Sequence, residues 1–518
     1  WARGASRIYG LDSTWLSWRH DANKDNDLKD SGDWSYLYGG MRMGGSNYYA
    51  LDVTNLSSPT IKWTIKGALA GGFNTTTDSS NYKVYRPFTV ATVPTGAYAW
   101  MGQTWSKPTL AYIALNDGTG NEVGRTVLVF GGGYDPTNET TPYLSGTSTI
   151  TPASTFGTDA YGHQLYIVDA KTGNLLFWAS GGSGTYGTGT TTTVTESPTL
   201  TVSDMKYSIT GSPVAVDRDD DGFTDLLYFA DLGGQVFRLD LKNKGTNNGT
   251  ATSCSSTLTT TCAALALRVA RIATLGEAAA GAVIDDQRRF FEAPGVAIVQ
   301  RPDTKETYMA LAIGSGNRSH PAYVGTRDRV YVLKDESATT TNLAGISAVT
   351  ALTHSNLQGV TTYDYSETGP DTFAGKKGFY FDISTPTSGN DPDGEKAMSS
   401  ALIYKSTVYI STYVPESTST TSESECSPGT GSSYLAQFNV FDGRSEVAAD
   451  DSTGSGSGTG SLDGPRRPDE SDNAGLPPEP QIILDGDKAY AWHGTSATEA
   501  DSANQNLRRT RWYELPRY

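Results

Sequence analysis

Cysteine is scarce. The 518 residues hold three, Cys254, Cys262 and Cys426. No CxxC pair and no CxxCH occurs, which removes the usual spacings for structural zinc and for c-type haem attachment. No apolar run is long enough to span a membrane as a helix, so membrane insertion is not expected. Long amphipathic helical patterns are scarce as well. Basic clusters are missing: 40 Lys and Arg stand against 56 Asp and Glu, a net charge of −16. That balance excludes a nucleic-acid footprint and disfavours attraction to anionic lipid. The chain opens at Trp1 with neither Met nor a signal-peptide pattern, as expected of a mature or excised fragment.

What is present points to strands and turns. Glycine reaches 57 and tyrosine 29, and Ser and Thr crowd the polar stretches. A chain of this length can bury a large core. The expectation is an all-β protein with many turns.

The most specific chemical signal lies in Gly211–Leu241, GSPVAVDRDDDGFTDLLYFADLGGQVFRLDL. Asp217, Asp219, Asp221 and Asp225 occupy positions 1, 3, 5 and 9 of an acidic loop, with Gly222 at position 6. A hard cation such as calcium takes six to eight oxygens. Such a loop presents side chains from positions 1, 3, 5 and 9 and a backbone carbonyl from position 7, here Phe223. Gly222 permits the sharp turn. Arg218 and Asp220 alternate with the ligands and are expected to point outward. An EF-hand needs a bidentate Glu at position 12 and flanking helices. Position 12 is Tyr228, and the flanks read as strands, so the loop is expected inside a β-sheet. A solvated acidic turn without an ion is the alternative.

A second acidic loop runs from Asp21 to Asp30. Asp21, Asn23, Asp25 and Asp27 take positions 1, 3, 5 and 7. Asn26 replaces the glycine, and Lys29 stands at position 9, where Asp30 is the nearest substitute. A second calcium site and a solvated charged turn are both open here. Cys254 and Cys262 are close enough in sequence to bridge a loop; three reduced, buried thiols are the alternative.

A hairpin unit recurs. Aromatic-x-apolar-Asp closes an alternating strand at Tyr49–Asp52, Tyr166–Asp169 and Phe237–Asp240, and more divergently in Asp328–Asp335. Each Asp can bond its own turn backbone, and a Trp follows in the first two units. Repeated blades of this kind make a β-propeller. Polar insertions separate the units at Asn74–Asn81, Gly181–Thr195, Lys242–Cys262 and Glu416–Ser433. The expected organisation is a propeller over 1–449, a flexible Ser/Gly/Asp-rich linker over 450–480, and C-terminal strands over 481–518, including Arg511–Leu515, that close the ring.

Several ordered blocks carry a resemblance: GGMRMGGSNYYALDVT, FGGGYD (Phe130–Asp135), LYIVDAKTG, the acidic loop with DLGGQVFRLDL, RRFFEAP (Arg288–Pro294), GSGNRSHP (Gly314–Pro321), GEKAMSSALIY (Gly394–Tyr404) and RRTRWYEL. Together they resemble the C-terminal domain of the PilY-type family of type IV pilus tip proteins, called PilC in some bacteria. The resemblance implies a modified, quinoprotein-like seven-bladed β-propeller with long decorating loops. It implies calcium held by Asp217, Asp219, Asp221, the Phe223 carbonyl and Asp225. It further implies export through the periplasm to the cell surface, association with minor pilins at the pilus tip, a role in pilus assembly against retraction, adhesion to a surface ligand, and twitching motility. Members usually carry an N-terminal adhesive portion; no DxSxS motif for one occurs here, and no RGD tripeptide is present.

Two other readings stand beside it. One is a secreted, integrin-like calcium-binding propeller not attached to pili. The other is a quinoprotein dehydrogenase, whose repeats resemble LYIVDAKTGNLLFW; such enzymes stack the quinone on a vicinal Cys-Cys disulfide, and no adjacent cysteines occur. His20, His163, His320, His354 and His493 show no zinc-ligand spacing, and Gly131–Gly133 lack the Lys-Ser/Thr of a P-loop. No enzymatic activity is expected.

Overall fold

The computed structural model describes residues 10–25, 27–28, 30–67, 96–119, 121–136, 159, 161–182, 196–243, 254–257, 261–276, 287–321, 326–340, 342–360, 373, 375–383, 394–415, 431–443, 475–485, 488–494 and 496–500, together with the strand paths of 69–77, 83–89, 184–188 and 190–194. Cys426, Asn26, Lys29, most of the expected linker and the strand expected at Arg511–Leu515 lie outside them.

The chain divides into two compact units, Trp1–Leu232 with Phe237–Ala270, and Gly233–Val236 with Arg271–Tyr518. Both are built of β-sheets, in sizes of four, five, four, five, four and three strands in chain order, with two further hairpins.

The first sheet is an antiparallel meander of Leu16–His20, Trp34–Gly40, Asn47–Asp52 and Thr60–Lys66. Alternation puts Trp18 opposite Tyr36 and His20 opposite Trp34. Their rings pack in a ladder, with Trp34 stacked between His20 and Tyr36 at centroid distances of 5.4 and 4.4 Å. The second sheet runs Thr109–Asn116, Glu122–Gly131, Leu165–Asp169, Leu175–Ser180, with the short Leu200–Thr201 added in parallel. Val214–Val216, Leu226–Ala230, Gln235–Leu241 and Ala266–Thr274 make the third. The run Leu226–Ala230 is wholly buried, as a short apolar run between turns should be. One core joins the second and third sheets around Ile113, Val129, Ile167, Phe177, Phe229 and Phe237.

In the second unit, Gly295–Gln300, Thr307–Gly314, Arg329–Asp335 and Gly378–Asp382 form another antiparallel meander. Thr407–Val414 is the centre of the fifth sheet, paired with Leu402–Tyr404 and Ser432–Asn439. The last sheet, Gln481–Asp485, Lys488–His493 and Ser496–Ala500, lays Ala489, Ala491 and Ala500 on Tyr409 and Leu435. Residues just before it are held by Ser411 Oγ donating to Pro478 O at 3.0 Å and Ser400 Oγ donating to Glu479 Oε1 at 3.0 Å.

All four aromatic-x-apolar-Asp units fall on the third strand of a meander. Asp52 accepts the Thr54 N–H, Asp169 accepts the Thr172 N–H, and Asp335 accepts the Ala338 N–H. Asp240 has a different task. It is fully buried and grips Arg238 at 2.6 Å and Arg268 at 3.0 Å. Strand Ser432–Asn439 closes differently, with Asn439 Oδ1 accepting the Phe441 N–H at 2.9 Å. In the second unit, three resemblance blocks meet. Gly316 N–H donates to Arg289 O, Ala397 N–H donates to Ser315 O, and Arg318 holds Glu292 at 2.6 Å.

Candidate cation site

The acidic loop bridges the antiparallel pair Val214–Val216 and Leu226–Ala230, in register from Val214 opposite Tyr228 to Val216 opposite Leu226. Tyr228, at position 12, is fully buried in the strand. The loop is closed at its base by Asp225 N–H donating to Val216 O at 2.9 Å. Gly222 sits at φ +94°, with open space where a Cβ would stand.

Within this frame the carboxylate oxygens of Asp217, Asp219 and Asp225 come within 4.8 Å of one another. Among the described residues this is the acidic group close enough to share a metal ion. Both Asp217 oxygens accept loop amides, from Asp220 at 2.8 Å and Gly222 at 2.9 Å. Asp225 Oδ2 accepts the Arg218 N–H at 2.8 Å. Asp225 Oδ1 is buried and makes no hydrogen bond of good geometry, while the Asn243 side chain beside the carboxyl favours its ionised form. A buried carboxyl with one oxygen poorly satisfied, grouped with two other carboxylates, is costly unless a proton or a cation meets it. Burial pushes the Asp225 carboxyl up to about 7; the Arg218 N–H opposes that and the Asp219 charge adds to it. Asp217 and Asp221 are also raised, first by burial and then, against their backbone hydrogen bonds, by neighbouring carboxylates. The donor set is all oxygen and all acidic, which fits a hard divalent cation rather than a thiolate- or imidazole-seeking one.

Asp221 is placed beside the group, not within it: its Oδ1 accepts the Phe223 N–H at 2.8 Å. Phe223 turns its ring onto Tyr112. Asp220 is exposed as expected, but Arg218 is half-buried rather than pointing outward. Sequence reasoning missed the supports from elsewhere in the chain. Thr224 N–H donates to Tyr112 O at 2.7 Å, Asn243 Nδ2 donates to Thr224 O at 3.2 Å, and Glu122 adds its charge to the field at Asp221.

The second acidic loop is closed by its own hydrogen bonds. Asn23 Nδ2 donates to both Asp25 Oδ2 at 3.1 Å and Asp30 Oδ2 at 2.5 Å. Lys24 N–H donates to Asp21 Oδ1 and Asp27 N–H to Asp25 Oδ1. Beneath it, the buried Asp33 accepts the Ala22 and Asp30 amides, each at 2.8 Å. Cys254 and Cys262 are joined in a disulfide with Cα atoms 6.0 Å apart. Of the histidines, His163 is buried with Nε2 3.1 Å from Glu196 Oε1, and His354 Nε2 lies 3.0 Å from the Tyr331 hydroxyl. Among the described residues no helix is long and apolar enough to cross a membrane.

No family model and no curated protein matches the chain. Among solved structures, the C-terminal domain of Pseudomonas aeruginosa PilY1 matches with a TM-score of 0.52 at 16% identity, covering 92% of this chain and 82% of that one. The chain has the fold of the PilY1 C-terminal domain. A candidate glycosidase from Bacteroides thetaiotaomicron covers 75% of this chain and 84% of its own, at 10% identity and a TM-score of 0.20, too low to carry a structural argument. The PilY1-like fold accords with the all-β, multi-sheet architecture.

Proposed function

We propose that this chain is a calcium-binding, non-enzymatic protein of the type IV pilus tip. It promotes pilus assembly, opposes retraction and contributes to adhesion and twitching motility from the outer cell surface, with minor pilins as its partners. Its sheets are the blades of a seven-bladed propeller, which the runs of four consecutive strands support. The observation that carries the reading is the convergence of Asp217, Asp219 and Asp225, with the poorly satisfied Asp225 Oδ1, on a PilY1-like fold.

Calcium would supply positive charge and a flexible coordination shell at that point. Asp217 and Asp225 come from opposite ends of the loop, so holding them to one point fixes both strand ends. Thr224, beside Asp225, carries that constraint to Tyr112 of the second sheet. Asp221, which lies beside the group, and the Phe223 carbonyl would complete the ligand set expected from the loop spacing. The role is bracing and regulation, with no bond made or broken.

Two measurements test this reading. Calcium titration of the purified chain should show saturable binding that substitution in the loop weakens. Co-purification with minor pilins, and loss of surface pili and twitching on deletion of the region, should follow. Normal piliation and twitching after deletion would overturn the pilus role.

A further inference from the structure

The strand Thr109–Asn116 is the edge of the second sheet, with Glu122–Gly131 on its inner side. Its outer side is fastened at three points. Thr109 Oγ1 donates to Pro213 O at 2.6 Å. Tyr112 accepts the Thr224 N–H at 2.7 Å and donates its own N–H to Thr224 Oγ1 at 3.3 Å. Asn116 donates its N–H to Cys254 O at 2.8 Å and accepts the Ser256 N–H at 2.7 Å. The first two fastenings belong to the segment carrying the acidic loop. The third belongs to the disulfide loop.

We propose that the Cys254–Cys262 disulfide regulates the cation site through this shared edge strand: closing the disulfide tightens calcium binding, and calcium protects the disulfide. The inference rests on the reading of 217–225 as a calcium loop.

The path is short and made of backbone. Cys254 is buried, and its carbonyl is the acceptor that pins Asn116. Cys262 is pinned elsewhere, its N–H donating to Leu176 O at 2.7 Å. Arg125, on the neighbouring strand, reaches Ser256 O at 2.6 Å while holding Asp169 at 2.8 Å. The closed loop is therefore anchored to both the first and the fourth strand of the second sheet. Opening the disulfide frees the Cys254 end from the Cys262 anchor, and Asn116 loses the restraint on its two hydrogen bonds. Tyr112 lies four residues along the same strand. Its bonds to Thr224 position the residue next to Asp225, a member of the acidic group.

The redox step is ordinary thiol–disulfide exchange. A dithiol attacks the Cys254–Cys262 bond, two thiols form in the protein, and the dithiol leaves as its cyclic disulfide, having given two electrons and two protons. Each edge hydrogen bond contributes modestly, so opening the loop should weaken calcium binding by roughly three- to tenfold. Linkage requires the reverse effect to be equal.

The test uses the whole chain. Calcium is titrated calorimetrically into the oxidised protein, into the dithiothreitol-reduced protein, and into the Cys254→Ser/Cys262→Ser variant. The expected result is a dissociation constant raised roughly three- to tenfold in the last two. In a dithiothreitol redox buffer, saturating calcium should raise by the same factor the ratio of reduced to oxidised dithiothreitol at half reduction. This arm needs no variant, so misfolding of the serine variant does not decide the matter. Hydrogen exchange at the Thr224 amide, without calcium, should be faster once the disulfide is open. Equal affinity with the disulfide open or closed, with unchanged Thr224 exchange, overturns the inference alone. Absence of calcium binding by the oxidised wild type overturns the calcium reading and the inference together.

Discussion

Phe223 lies flat on Tyr112, with ring centroids 5.3 Å apart and planes 3° from parallel. Phe223 is position 7 of the acidic loop, and Tyr112 belongs to the edge strand of a different sheet. The loop's geometry is therefore set partly by a residue more than a hundred positions away in sequence. Behind Tyr112 stands Gly124, where an added methyl group would overlap the Tyr112 ring. Gly124→Ala should push the ring off its place, destabilise the chain by about 1–3 kcal/mol and weaken calcium binding. Urea denaturation and calcium titration of this variant check both effects. Its phenotype should disappear in a protein whose loop carboxylates are already removed, as far as calcium is concerned.

Gly222 poses a different problem. Its φ of +94° is unfavourable for an L side chain, yet nothing lies within 4 Å of the Cβ position. The cost of Gly222→Ala is thus backbone strain, on the order of 1 kcal/mol, with no clash. The expected outcome is a small loss of stability without calcium and a larger relative loss of calcium affinity, since Gly222 N–H also holds Asp217 Oδ2.

Asp240 balances two arginines in the interior, and Arg238 and Asp240 are both fully buried. Removing the carboxylate takes away one counter-ion from the buried Arg238 and from Arg268. Asp240→Ala should destabilise the chain by about 3–5 kcal/mol, measured as a shift of the urea midpoint. Calcium should restore only part of that loss, because the defect lies outside the cation loop.

In the second unit, burial raises the Asp328 carboxyl to about 6, against the opposing charges of Lys396, Arg288 and Arg289 and the Ser315 hydrogen bond. The folded state then holds this proton more tightly than the unfolded chain. The stabilisation is complete below the ordinary value of 3.8 and is lost as pH rises through about 6. Asp328→Asn removes that dependence. The wild type minus variant difference in unfolding free energy should fall between pH 4 and pH 7, and a flat difference would contradict the assignment.

The second acidic loop gives a stoichiometric prediction. Asn23 already donates to Asp25 and Asp30, so an N–H group occupies the place where a cation needs an acceptor. One tight calcium per chain is expected, and Asp25→Ala with Asp30→Ala should leave the tight isotherm unchanged.

Much of this was legible because the signals are local. The spacing of Asp217, Asp219 and Asp225 survives in three dimensions since one short loop between paired strands carries all three. The aromatic-x-apolar-Asp units are legible for the same reason: alternation and turn chemistry act over a few residues. Tyr112, Glu122 and Asn243 leave no mark near the loop, because their contacts with it depend on tertiary packing. Asp33 is hidden in the same way beneath Asp21–Asp30. Arg218 looks like an outward-facing charge in the alternating pattern. Its partial burial depends on tertiary packing, which no alternation rule encodes. The disulfide was left open by spacing alone, since two cysteines eight residues apart can equally stay reduced.

Asp217, Asp219 and Asp225 are proposed to hold one calcium ion. Asp219 is the exposed member of the three, so its loss leaves the fold standing. Calorimetric titration of wild type and Asp219→Ala with calcium tests that binding. The wild type should bind calcium one to one in the micromolar to millimolar range, roughly 10⁻⁶–10⁻³ M, and the variant at least about tenfold more weakly. Equal affinity in both, or no binding by the wild type, would contradict it.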